Sequence, residues 1–190
     1  MIKNFKEFIE PYEFDSAVEE VMSNLAKKGL YKEGDPTPME KIVDYIGFKI
    51  IFDDLDSKNR DTLGCIDFEN KRIYVDNSLS YGDSIGDIGR YNFTLAHECG
   101  HFFCKHDVVA KNLLLNEHKI IVEKKFLETQ ANMFGARLLM RKGLLIAKNK
   151  EFLNLSYHES RHKMAIFFGA SIEALEYRME KLGLSERLDW

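Results

Sequence analysis

The pattern His-Glu-x-x-His occurs twice in this chain, as HECGH at His97–His101 and as HESRH at His158–His162. On a helix, histidines four residues apart lie on one face and can share a metal ion, with the glutamate one step round, in reach of a bound water. Zinc held by two imidazoles and a carboxylate keeps a fourth position open, and water bound there loses a proton at about pH 7. His97 and His101 are therefore candidate metal ligands, and Glu98 a candidate general base. The flanks separate the two copies. RYNFTLAHECGHFFCKH is apolar on most sides, as a helix buried in an enzyme core would be, with Gly100 leaving room for a close neighbour and Cys99 on the face opposite the histidines. HESRH has polar flanks, and the positive charge of Arg161 would oppose a dication beside it. It reads as a solvent-facing helix N-terminus that matches the pattern by chance. The first copy is the site.

Two carboxylates compete for the third ligand position. Asp107 follows His101 by six residues, but that geometry needs a sharp turn, usually through glycine three residues after the second histidine, where this chain has Cys104. Glu128 lies in FLETQANMFGARLLM, which reads as a helix with Glu128, Ala131, Asn132 and Gly135 along one face. Small residues beside a carboxylate let that helix approach the His97 helix closely, which favours Glu128. Asn132, one turn on, could hold Glu128 or an imidazole by a hydrogen bond.

The elements that must position these groups are legible in outline. Residues 15–29 read as an amphipathic helix with Ser16 and Glu19 as a capping box and Gly29 as its stop. A shorter helix follows, with Thr37 as cap, Pro38 in the first turn and Gly47 as terminator. GFKIIFDD, TLGCIDFE and KRIYVDN are β-branched and aromatic runs, the last two joined by a tight Glu69-Asn70-Lys71 connection. They predict a small antiparallel sheet of about three strands. A Gly- and Asp-rich loop, YGDSIGDIG, leads into helices over 90–105 and 120–140 and two more after 160, with breaks around 106–116 and 148–157. The class is α+β. Residues 163–183 have a helix-turn-helix outline, but Glu173, Glu176 and Glu180 beside Arg178 and Lys181 disfavour phosphate contact. A packing subdomain walling the cleft is the better reading.

With 190 residues and a formal charge of −4, the chain is long enough for one well-buried core and has no bulk basic surface for nucleic acid. The opening MIKNFKEFIEPYEF breaks each short apolar run with charge, and no stretch approaches the roughly 20 apolar residues of a membrane span. Cys65, Cys99 and Cys104 stand at no zinc or redox spacing and fit reduced thiols in a cytoplasm.

RYNFTLAHECGH followed by ETQANMFGARLLM resembles the ImmA/IrrE family of zinc metallopeptidases, and the likeness runs from about residue 15 to 185. The resemblance implies a zincin-like domain over 1–147 and a C-terminal helical subdomain over 148–190. It implies His97, His101 and Glu128 as ligands of Zn2+ (Mn2+ or Fe2+ being alternatives) and Glu98 as catalytic base. The expected partner is a helix-turn-helix transcriptional repressor, often encoded beside such a peptidase on a mobile element and cleaved to relieve repression. The alternative is a non-catalytic, metal-stabilised regulator that binds a repressor protein or, as the weaker form of that reading, DNA. Three positions depart from the family pattern: Asn92 replaces a frequent Arg, Gly135 a common Ala, and Arg141 the Pro closing LLMP.

Overall fold

A computed structural model describes residues 11–55, 62–80, 82, 84–107 and 120–184, with side chains omitted for 120–124. The chain opens with a 3-10 turn at Pro11–Glu13 and helix α1 (Phe14–Lys27), then α2 (Met39–Tyr45). Three strands follow, β1 (Lys49–Asp53), β2 (Gly64–Asp67) and β3 (Arg72–Asp76), and a 3-10 turn at Asn77–Leu79. The rest is helical: α3 (Ile85–Phe103), α4 (Ile120–Leu139), α5 (Lys142–Glu151), α6 (Tyr157–Phe168) and α7 (Ile172–Lys181). This is the expected α+β class.

The helix N-termini differ from the sequence reading. In α1 the cap is Glu13, and Ser16, already inside the first turn, donates its hydroxyl to the Glu13 carbonyl. Thr37 caps nothing: its hydroxyl donates to the Leu138 carbonyl at 2.9 Å, a contact 101 residues away in sequence. At Thr37 a tertiary partner outbids the local capping pattern, while Ser16 is held by a carbonyl of its own first turn. The stops hold, since Gly29 and Gly47 take φ of +70° and +83° where a side chain would be strained.

The sheet is mixed rather than wholly antiparallel. Its order is β1-β3-β2, with β2 antiparallel to β3 and β1 parallel to it. The tight turn explains the first pairing: Asp67 Oδ1 accepts from the N–H groups of Glu69 and Asn70, and Lys71 takes φ of +56°, which reverses the chain at once. With the near side of β3 taken by β2, β1 pairs along its far side. β3 is the central strand, with Ile73 and Val75 fully buried, and β2 is an edge.

Helix α3 starts earlier than its glycines suggest. Ser84 caps it by accepting from the Asp87 N–H, so Gly86 and Gly89 fall inside the helix rather than in a loop. Gly89 is required by packing: a Cβ there would lie 2.5 Å from the Ser171 nitrogen. Asn92 donates to the Gly169 carbonyl at 3.1 Å, a second tie between α3 and the α6–α7 turn. The break expected over 148–157 narrows to 152–156, because α5 runs to Glu151, while that over 106–116 falls mostly outside the described residues. Arg141 caps α5 with φ of −60°, a value proline would also supply, and its buried guanidinium meets Glu19, Glu33 and Tyr31.

Candidate metal centre

Helices α3 and α4 meet backbone to backbone. A Cβ on Gly100 would stand 2.6 Å from the Ala131 carbonyl oxygen, and one on Gly135 would stand 2.9 Å from the Ala96 carbonyl. Ala96 faces Gly135 and Gly100 faces Ala131, so the helices run antiparallel. Glu128 then lies one turn before Ala131, just past the level of His101, with its carboxylate in reach of both rings. The small residues along α4 permit the close approach inferred for them, and Gly100 answers them from α3.

This crossing brings His97, His101 and Glu128 together. His97 Nε2 and His101 Nε2 are 3.0 Å apart, and Glu128 Oε2 lies 3.2 Å and 3.6 Å from them. Ligands bonded at 2.0–2.1 Å in a tetrahedron have edges of about 3.3 Å, and the three separations straddle that value. Among the described residues, these three form the one group of His, Cys, Asp and Glu side chains disposed to hold a metal ion. Asn132 Oδ1 sits 2.9 Å from His97 Nδ1. That contact makes Nδ1–H the donor and leaves the lone pair of Nε2 facing the other two ligand atoms. Lone pairs converging at this range repel unless a cation or proton lies between them, so the donor set suits a dication.

Glu98 is 5% exposed and lies beside the cluster. Burial, reinforced by the Glu128 charge, pushes its carboxyl up to about 8, against the pull of an Ile66 N–H donor. Burial, with His97 and His106 nearby, holds His101 down to about 3, so its imidazole stays neutral and able to bind metal. A cleft of about 630 Å³ opens over these groups. Thr62 to Ile66, on β2 and the segment before it, form one wall, the α3 residues Phe93, Thr94, His97, Glu98 and His101 the floor, and Glu128 and Asn132 the other side. A smaller recess of about 170 Å³ shares Leu63, Phe93 and Thr94 with it and is closed by Leu139, Ala170 and Ala174.

Residues 43–180 match the model of a peptidase family described as the IrrE N-terminal-like domain. The chain belongs to this family. A solved Mycobacterium tuberculosis transcriptional regulator has a similar fold at 14% identity and a TM-score of 0.56, over 91% of this chain and 47% of that one. The present chain thus spans about half the length of that structure. Comparison with curated proteins returns no match.

Within this IrrE-like fold the other sequence candidates fall elsewhere. Asp107 lies close enough to His106 to influence its charge and takes no part in the converging group. The second HExxH starts α6, and its histidines and Glu159 are exposed as expected. The variable positions are not: Ser160 and Arg161 are buried, which corrects the solvent-facing reading of that whole turn. Among the described residues, no carboxylate joins the two histidines there. Arg178, counted among possible phosphate contacts, is buried and donates to Asp15 and to the Met140 carbonyl. No helix among the described residues is long and apolar enough to cross a membrane. Two polar neighbours of the site escape the sequence reading, His106 and Gln130. His106 Nδ1 lies 2.8 Å from His101 Nδ1, and His106 Nε2 lies 3.2 Å from Gln130 Oε1. The visible signal is a third histidine after HECGH, in a segment whose letters suggest only a helix end.

Proposed function

We propose that this chain is a zinc-dependent endopeptidase and that its substrate is a helix-turn-helix transcriptional repressor. The carrying observation is the convergence of His97, His101 and Glu128 beside the buried Glu98, on the floor of a cleft walled by an edge strand. Membership of a peptidase family supports the reaction class, and the similar Mycobacterium tuberculosis protein, itself a transcriptional regulator, supports a regulatory role. The resemblance of the paired motifs to ImmA/IrrE peptidases supports the repressor as target.

His97, His101 and Glu128 would hold the zinc, and Asn132 fixes the His97 ring through Nδ1. Bound zinc supplies Lewis acidity toward a carbonyl and lowers the pKa of water. The substrate backbone pairs with the open edge of β2, which keeps an extended peptide across the cleft. The recess beside Phe93 and Ala174 takes an apolar side chain. Glu98 accepts a proton from the attacking water at its carboxylate and delivers it to the leaving amine. The Ile66 N–H orients that carboxylate. Glu98 is the catalytic residue; His97, His101 and Glu128 are ligands.

The test pairs metal content with cleavage. Elemental analysis of wild type, His97→Ala, Glu128→Ala and His158→Ala should show about one zinc in the wild type and in His158→Ala and none in the other two. The zinc-loaded protein, incubated with a candidate helix-turn-helix repressor, should yield fragments that Glu98→Gln does not produce. Recovery of full-length repressor bound to zinc-loaded wild type would replace this reading with that of a non-catalytic regulator.

A further inference from the structure

His106 and Gln130 are buried polar groups that the ligand set leaves unexplained. They are 3% and 1% exposed, yet neither faces the cleft wall that substrate would touch. His106 follows His101 by five residues, which on an unbroken helix would place it roughly 140° round from His101. The chain avoids this through Lys105, one of two non-glycine residues with positive φ among the described residues, at +56°. Cys104 closes α3, Lys105 turns the backbone left-handed, and His106 returns beneath the His101 ring at a centroid distance of 4.9 Å and an angle of 77°. A backbone conformation that L-residues adopt at a cost is thus used to bring one imidazole to another.

The proton bookkeeping gives this contact a direction. Gln130 Oε1 can only accept, so His106 Nε2–H donates to it at 3.2 Å. A neutral His106 then has its lone pair on Nδ1 and must accept from His101 Nδ1–H at 2.8 Å. His101 is left with its lone pair on Nε2, the atom that lies 3.0 Å from His97 Nε2 and 3.6 Å from Glu128 Oε2. Reversing the Gln130 amide reverses the whole chain and puts a proton on His101 Nε2, where a metal would have to displace it. Gln130 stands on α4 two residues beyond Glu128. One helix therefore supplies a ligand and the end of the relay that prepares another.

We propose that His106 and Gln130 form a positioning pair that fixes the His101 tautomer and ring for metal binding, as Asn132 does for His97. This rests on the reading of His97, His101 and Glu128 as a metal site. Imidazole ligands held by a partner at the far ring nitrogen typically lose 10–100-fold in metal affinity when that partner is removed.

The experiment measures the zinc dissociation constant of the full chain by competition with a chromophoric chelator, for wild type, His106→Phe, Gln130→Met and Gln130→Glu. Thermal unfolding of each metal-free protein identifies which variants fold. His106→Phe and Gln130→Met should bind zinc at least tenfold more weakly. Gln130→Glu, whose ionised carboxylate accepts from His106 Nε2–H but cannot donate, should stay within threefold of wild type or bind more tightly when zinc binding is measured at a pH where that carboxylate is ionised. A role in packing alone gives the opposite order, since a buried carboxylate is harder to accommodate than methionine. Wild-type affinity in both His106→Phe and Gln130→Met, or weaker binding by Gln130→Glu than by Gln130→Met, would overturn the pair while leaving the site intact. If His106→Phe does not fold, the two Gln130 variants decide. Failure of the wild type itself to bind zinc would overturn the site and the pair together.

Discussion

Glu98→Gln should stabilise the metal-free protein at neutral pH, and by an amount that grows with pH. In the folded chain burial, aided by Glu128, raises the Glu98 carboxyl from 4.5 to about 8. A carboxyl raised on folding contributes stability in full below its unfolded value, and that contribution is lost as pH rises toward the folded value. The folded state keeps its proton between pH 4.5 and 8 while the unfolded state gives it up. Each unit of that interval costs about 1.4 kcal/mol. The loss reaches about 3 kcal/mol at pH 7 and about 5 kcal/mol above pH 8. Glutamine has the same shape, keeps an oxygen for the Ile66 N–H, and does not titrate.

Urea unfolding of both proteins in chelator, from pH 4 to 8.5, reads the difference directly. Every other ionisable group is common to both proteins, so the remaining effects cancel to first order. The two proteins should agree near pH 4.5, and the variant should be more stable by about 3 kcal/mol at pH 7. Zinc should narrow the gap, because a dication held by the neighbouring ligands favours the ionised carboxylate. Parallel stability profiles, or a variant less stable than wild type at pH 7, would refute the claim that Glu98 is buried against its charge.

Two further outcomes follow from packing. Gly100→Ala puts a methyl 2.6 Å from the Ala131 carbonyl and must part α3 from α4, so it should cost about 1–3 kcal/mol and weaken zinc binding through displacement of Glu128. Gly143→Ala, in α5 with nothing within 4 Å, is the control and should stabilise by up to about 1 kcal/mol with zinc affinity unchanged; equal effects at the two glycines would refute the close-crossing argument. Arg141→Met removes the buried member of a cluster whose carboxylates, Glu19 and Glu33, remain largely in water. No charge is left stranded, so denaturant unfolding should show a loss of about 1–3 kcal/mol rather than the 3–5 of a broken buried pair, with zinc content intact.

The sequence makes the centre of the site legible because its signals are local. HECGH places two rings on one helix face by period alone, and the Ala131 and Gly135 positions show that α4 must come close. What escapes depends on partners distant in the chain. Thr37 looks like a cap until Leu138 claims its hydroxyl. β1 looks antiparallel until the β2–β3 turn commits the near edge of β3 to β2. His106 looks like the frayed end of a helix, and only the left-handed Lys105 makes it a neighbour of His101. HESRH gathers no carboxylate among the described residues, yet its middle residues are buried where its polar flanks suggest solvent. Arg161, Met164, Ala165 and Phe168 follow helical spacing and form one buried stripe. That stripe is present in the letters, but the charge of Arg161 masks its place on the helix.

The two HExxH copies show what the motif needs beyond its letters. Both lie on helices, and both carry their histidines on one face. In α6 that face meets solvent, where a metal would find, among the described residues, two imidazoles and no converging carboxylate. In α3 the face meets a helix brought to backbone contact by Gly100 and Ala131, which adds a carboxylate at 3.2 Å and an amide at 2.9 Å. The same closeness converges acceptor atoms that repel one another when no cation or proton lies between them. Packing energy from the α3–α4 crossing thus holds the ligands in an arrangement that electrostatics alone would open, and a bound dication relieves that repulsion. Zinc should therefore raise the stability of this crossing above that of the rest of the fold, and the pH-dependent cost of Glu98 in the metal-free protein measures part of what it relieves.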